Sequence, residues 1–304
     1  MEKTDIKTDK NVETISGIFN LFFGNKLRAF YLAGSFAENY QINTSDIDGY
    51  FILKNTTSKK EINKGEKLID YLNEISTIDL DLCVVNESRI FEPKTSGDKI
   101  SCLSLKENSY LVYGEDIRAG ISDIDLKSYT NFSVHKPIYF ISRVRLNKYL
   151  KYPINYPEPN DQYFGYCSRE IKVNGKETLS TKELVVNVGW IATALIALEG
   201  EMVFRKNDCL NKYKRFINDQ WVGFLEEIFL ICRDKWNYLI PDKKEEKQKL
   251  KEICKKALEF ENMFLEKYQK FLFSQLNGDK NEKKYASEIL AKKIYFQDQK
   301  NAIT

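Results

Sequence analysis

Histidine is almost missing from this chain: His135 is the only one in 304 residues. A zinc site built on several histidines is therefore excluded, and a Ser-His-Asp triad would have to form around that one imidazole. His135 stands in Asn131-Phe-Ser-Val-His-Lys-Pro137, near a helix or loop start, where a surface or capping place is the expectation. The general base to expect is a carboxylate. The six cysteines, at 83, 102, 167, 209, 232 and 254, form no Cys-x-x-Cys pair. That removes the usual zinc and disulfide frameworks and predicts reduced, mostly buried thiols. No apolar run is long enough to span a bilayer; the longest, Leu184 to Leu198, is interrupted by Asn187 and Thr193 and reads as a buried helix. Charge of one sign is not in excess either. Lys and Arg number 47 against 44 Asp and Glu, a net +3, so no basic field advertises a nucleic-acid partner. The opening residues Met1-Glu-Lys-Thr-Asp-Ile-Lys7 are polar and of mixed charge, unlike a signal peptide, and a cytoplasmic location is expected.

What is present describes an ordinary globular chain, 42% hydrophobic and 30% charged, with enough length for one large or two ordinary domains. A helix is expected near Val12 to Phe23, then strands at Arg28 to Ala33, Ser45 to Leu53 and Ile78 to Val85, with an amphipathic helix over 59–75. From about residue 122 the pattern becomes helical, broken by the proline-rich Tyr152 to Asn160, which reads as a loop. Beyond Pro241, apolar residues from Leu250 to Phe271 recur at helical spacing. Core packing explains that stripe. The Lys-rich last helix, after Asn277-Gly278, reads as a solvated face.

The chemistry is concentrated near the N-terminus. Gly34-Ser35 ends the first strand, and a glycine there lets the backbone turn tightly with N–H groups toward an anion. The second strand opens with Ser45-Asp46-Ile47-Asp48. Strand alternation puts Asp46 and Asp48 on one face and Ile47 in the core. Crowded carboxylates repel unless a cation joins them, and magnesium suits such oxygen donors while leaving room for phosphate oxygens. Asp79 and Asp81 share a face of the third strand, and if that strand pairs beside the second, four carboxylates can converge on one edge of the sheet.

A Gly-Ser turn, a spacer, an Asp-x-Asp strand and a later acidic strand resemble the polymerase-beta-like nucleotidyltransferase superfamily. The segment Leu111-Val-Tyr-Gly-Glu-Asp-Ile117 is similar to the one that closes this domain in small members. The helix from Glu183 through Trp190, with the Gly200 turn and Lys206-Asn-Asp208, resembles the spectinomycin/streptomycin adenylyltransferases; the family's helix arginine falls near Ala192 here and its catalytic Glu is the shorter Asp81. The resemblance implies an α+β fold: a nucleotidyltransferase domain over 1–120, with a small mixed sheet and flanking helices, then an all-helical bundle domain over 121–304 that binds substrate. It implies Asp46 and Asp48 as ligands of two magnesium ions, Asp81 as base or further ligand, and Gly34, Ser35, Ser45 and Lys206 as contacts of ATP. Glu183 would meet a small cationic acceptor, with Glu170, Tyr163, Phe164 and Tyr166 nearby in sequence. The activity implied is transfer of AMP from ATP to a hydroxyl of an aminoglycoside or aminocyclitol antibiotic. The alternatives are a protein or RNA acceptor, as in toxin-type enzymes, and a catalytically idle nucleotide-binding protein.

Overall fold

The structure, a computed structural model, describes residues 10–155 and 159–296. It is an α+β protein whose chain divides into two compact units. The first holds the chain to Phe132 with Ile171–Thr178 and Val203–Asp208; the second holds Ser133–Glu170, Leu179–Met202 and the chain from Cys209 onward.

The first unit is organised by a four-stranded sheet. Leu27–Ala33 (β1) pairs antiparallel with Ile47–Leu53 (β2), and Leu80–Asn86 (β3) lies parallel to β2. Tyr110–Gly114 (β4) pairs antiparallel with the other side of β1, giving the order β3-β2-β1-β4. Period-two alternation sorts the two faces. Phe30, Leu32, Ile47, Phe51, Leu82 and Val84 are buried in one cluster with residues of Lys10–Phe23 (α1) and Lys59–Ile75 (α3). Phe51 stacks on Phe19 and Phe30 at centroid distances of 3.6 and 4.1 Å. A capping box starts α3: Ser58 accepts from the Glu61 N–H while Glu61 accepts from the Ser58 N–H, so two orphan donors are satisfied.

The opposite face buries Ala29, Tyr31, Ile52 and Val85 with residues of Glu87–Phe91 (α4) and Ser96–Glu107 (α5). After β4 the chain is tied back to the sheet through Tyr31. Its hydroxyl accepts from the Ile117 N–H at 2.7 Å and lies 3.1 Å from Asp116, whose carboxylate also holds the Arg118 guanidinium. Two segments distant in sequence complete the unit. The Lys172 N–H donates to Asp79 and the Gly175 N–H to the Thr77 carbonyl, while the Val203 N–H donates to the Tyr129 hydroxyl.

Helices dominate the second unit. Most of Leu126–Val144 (α6) belongs to it, as do Lys182–Leu198 (α7), Cys209–Phe216 (α8), Val222–Glu226 (α9), a π-helical stretch Glu227–Lys235, Lys244–Leu276 (α10) and Lys280–Lys292 (α11). Short strands interrupt the helical pattern expected after residue 122: Leu150–Tyr152 (β5) runs beside Ile294–Phe296, and Glu170–Val173 (β6) beside Lys176–Leu179 (β7). They are too short to carry a periodic signal. The apolar run of α7 is buried along nearly its whole length, and Leu250, Ile253, Ala257, Phe260, Phe264 and Tyr268 of α10 are fully buried. Arg145 and Glu261 form a buried ion pair at 2.7 Å, with Tyr166 and Asn187 completing the network. All six cysteines are free and five are buried, Cys83 being exposed. No helix among the described residues is long and apolar enough to cross a membrane.

His135 corrects the expectation of a surface place. It lies inside α6, is buried, and bridges two side chains of α10, Tyr268 at 2.8 Å through Nδ1 and Gln275 at 2.9 Å through Nε2. The apolar surroundings that a helix-packing face imposes could not be read from one imidazole in the sequence. Burial lowers its pKa from 6.5 to about 4, so the folded protein keeps it neutral where the unfolded chain would protonate it. Its contribution to stability is full above about pH 6.5 and declines as the pH falls toward 4. Urea unfolding at pH 7 and pH 4.5 should show wild type losing about 2 kcal/mol more than His135→Gln over that interval; equal losses would contradict the assignment.

Candidate active site

Strand register builds the site. Ala33 at the end of β1 stands opposite Asp48, and Asp48 stands opposite Asp81 across the β2–β3 pair. Register partners share a face, so Asp48 and Asp81 project to the side that α5 covers farther along. Asp46 lies one residue before β2. One carboxylate oxygen each from Asp46, Asp48 and Asp81 come within 4.8 Å of one another, with Asp46 and Asp48 half-buried and Asp81 exposed.

Gly34 follows Ala33, and its place beside Asp48 follows from the same register. Its φ is +60°, and a Cβ there would lie 2.1 Å from Asp48 Oδ2. The carboxylate occupies the space that any side chain would fill. Gly34 also opens the short helix Gly34–Ala37 (α2), within which Ser35 is half-buried. The first N–H groups of a helix have no intrahelical acceptor, so this turn offers donors beside three acids. Ser45 is buried, and its hydroxyl accepts from the Ile42 N–H at 3.0 Å. It braces the loop that delivers Asp46.

Glu38 joins distant pieces of this unit. Its carboxylate accepts from Asn108 Nδ2 at 2.6 Å and from the backbone N–H of Lys206 at 3.2 Å. Lys206 is thereby fixed next to the end of the Gly34–Ala37 turn, despite standing 168 residues away in sequence. Nothing in the local sequence marks Glu38, because its partners come from two other regions of the chain.

Asp79 does not join the other acids. It precedes β3, its carbonyl accepts from the Ile47 N–H at 3.0 Å, and its carboxylate accepts from the Lys172 N–H at 3.2 Å. The expectation of four converging carboxylates is corrected to three, since the fourth is spent on holding Ile171–Thr178. In the second unit Glu183 is 3% exposed and accepts two hydrogen bonds from Arg143, at 2.8 and 2.6 Å. Tyr163 and Tyr166, expected as aromatic faces for a ligand, are instead buried, Tyr166 completely and within reach of Arg145.

No family model matches the chain, and no curated protein matches it in sequence. Among solved structures it is similar to spectinomycin adenyltransferase AAD(9) from Enterococcus faecialis, determined with ATP and spectinomycin; the TM-score is 0.49 and the identity 13%, over 83% of this chain and 98% of that one.

The donor set fits a hard divalent cation. Three carboxylates supply oxygen only, and an exposed Asp81 leaves the cluster open to further oxygen ligands. Without a cation the three charges repel one another, and Gly34 leaves the space that Asp48 occupies among them. Gly34→Ala should push Asp48 aside: a manganese titration by calorimetry is expected to show about tenfold weaker binding or more, against a folding cost of about 1 kcal/mol for the positive φ. Unchanged affinity would detach Gly34 from the cluster.

Proposed function

We propose that this protein is a magnesium-dependent nucleotidyltransferase that moves AMP from ATP to a hydroxyl of an aminoglycoside or aminocyclitol antibiotic. The convergence of Asp46, Asp48 and Asp81 beside the Gly34 turn carries this reading. In it, Asp46 and Asp48 hold the magnesium ions, with Asp81 beside them. The bound metal would supply charge neutralisation at the phosphate under attack.

The chain's own groups do the rest. The Gly34-Ser35 turn and Ser45 receive the triphosphate, and Lys206 adds a cation held in the same unit by Glu38. Asp81 accepts the proton of the acceptor hydroxyl as its oxygen forms a bond to the α-phosphorus. The bond from that phosphorus to the bridging oxygen breaks, and pyrophosphate leaves with the electron pair. In the proposed division of labour residues 1–120 perform transfer and 121–304 select the acceptor, with Glu183 sharing its carboxylate between Arg143 and a drug ammonium. The near-balanced charge of the chain supports a small acceptor over a nucleic acid.

Incubation with labelled ATP, magnesium and an antibiotic panel tests the reading. Label on a drug supports it; label on protein or RNA alone, or binding of ATP without turnover, overturns the acceptor. Asp46→Asn and Asp48→Asn should each abolish transfer with circular dichroism unchanged, and comparable turnover in either would remove the metal assignment. Asp81→Asn should lower turnover by about two to four powers of ten while ATP and magnesium still bind. If calorimetry shows that binding lost too, Asp81 is a ligand. Glu183→Gln should weaken drug affinity most at low salt while ATP affinity holds; unaltered drug binding would leave Glu183 as the partner of Arg143 alone.

A further inference from the structure

The sheet face that carries the acids carries Tyr50 and Cys83 as well, register partners two residues along β2 and β3 from Asp48 and Asp81. Two residues along a strand span about 7 Å, so these side chains stand next to the acids. Both line a cavity of about 240 Å³ within the first unit. On this face its wall is α5, whose Ser101 hydrogen-bonds Tyr50 and whose Asp98 pairs with Arg89 at 2.7 Å. β3 is the end strand of the sheet, and the cavity follows its free edge: four consecutive residues, Leu82 to Val85, line it although their side chains alternate between faces. From the other face α3 contributes Glu66 and Asp70.

The lining selects by charge. Glu66, Asp70 and Asp98 set three carboxylates against one guanidinium, Arg89, which Asp98 already holds. Such a lining repels a polyphosphate and attracts an ammonium. Tyr50 and Cys83 add a phenol hydroxyl and a thiol to this lining, hydrogen-bonding groups that can meet a ring hydroxyl. The volume falls short of the roughly 300 Å³ at which pockets for whole drug-sized ligands begin, and suits one substituted ring.

We propose that this cavity is an acceptor subsite: it takes one amine-bearing, hydroxyl-rich ring, with Cys83 and Tyr50 against it, and sets an adjoining hydroxyl beside Asp81. The assignment rests on the transfer reading above and locates acceptor selection partly within the first unit.

Cys83, the exposed one of the six free thiols, reports on the cavity directly, and the five buried thiols serve as controls. Wild-type protein is alkylated with N-ethylmaleimide in the presence of magnesium and a non-hydrolysable ATP analogue, and site occupancy is read by mass spectrometry. Streptomycin or spectinomycin at ten times its dissociation constant should slow alkylation of Cys83 about tenfold, and the analogue alone by no more than about twofold. Cys83→Phe, which fills the space, should raise the acceptor KM about tenfold with the ATP KM within about twofold. Full protection by the analogue alone would give the cavity to the nucleotide and overturn the proposal. So would a drug that binds by calorimetry but leaves Cys83 labelling unchanged. If neither drug binds, the subsite assignment falls, and magnesium-dependent ATP binding in the same calorimeter decides separately whether the nucleotidyl-transfer reading stands.

Discussion

Everything proposed for this protein depends on one constraint, the alignment of Ala33, Asp48 and Asp81 across three neighbouring strands. A one-residue slip of β2 would turn Asp48 into the α1–α3 core and Ile47 out of it, because side chains alternate. The aromatic stack of Phe19, Phe30 and Phe51 on the other face makes such a slip expensive, since Phe51 would leave the core and its two ring partners. Hydrophobic packing on one side of the sheet thus keeps mutually repelling acids together on the other. Gly34 completes the arrangement by leaving out the atom that would displace Asp48.

The polar groups of the second unit contrast with this. Arg145 and Glu261 meet in the core with Asn187 and Tyr166, Glu183 is held by Arg143, and His135 is bound at both ring nitrogens. Each has a structural partner, and removing one member would strand the other away from water. Asp46, Asp48 and Asp81 gather three carboxylates at an accessible edge. Oxygen donors grouped in this way suit a hard divalent cation.

The acids were legible because the seven-residue strands β2 and β3 are long enough to show a period-two signal, and Asp46-Ile47-Asp48 and Asp79-Leu80-Asp81 expose it directly. Their fates then diverged for reasons outside the strands. Asp81 faces the cluster, while Asp79, two residues earlier, accepts from the backbone of Lys172, more than ninety residues downstream. The helices α3, α7 and α10 were equally legible from their apolar stripes. His135, Tyr163 and Tyr166 were misplaced, because an isolated polar or aromatic residue has no period and its burial depends on which helix comes to lie over it.

The sequence by itself determined the strands β1 to β3, the helices α1, α3, α7 and α10, the face of each of those strands that carries acids, and the exclusion of histidine-rich chemistry, because these follow from composition and from local periodicity. Only the tertiary structure decided that three acids converge and not four, that Glu38 holds Lys206, and that Tyr50 and Cys83 share a cavity with α3 and α5. Those outcomes depend on pairing between strands and on contacts between residues far apart in the chain, and neither leaves a repeating pattern along it.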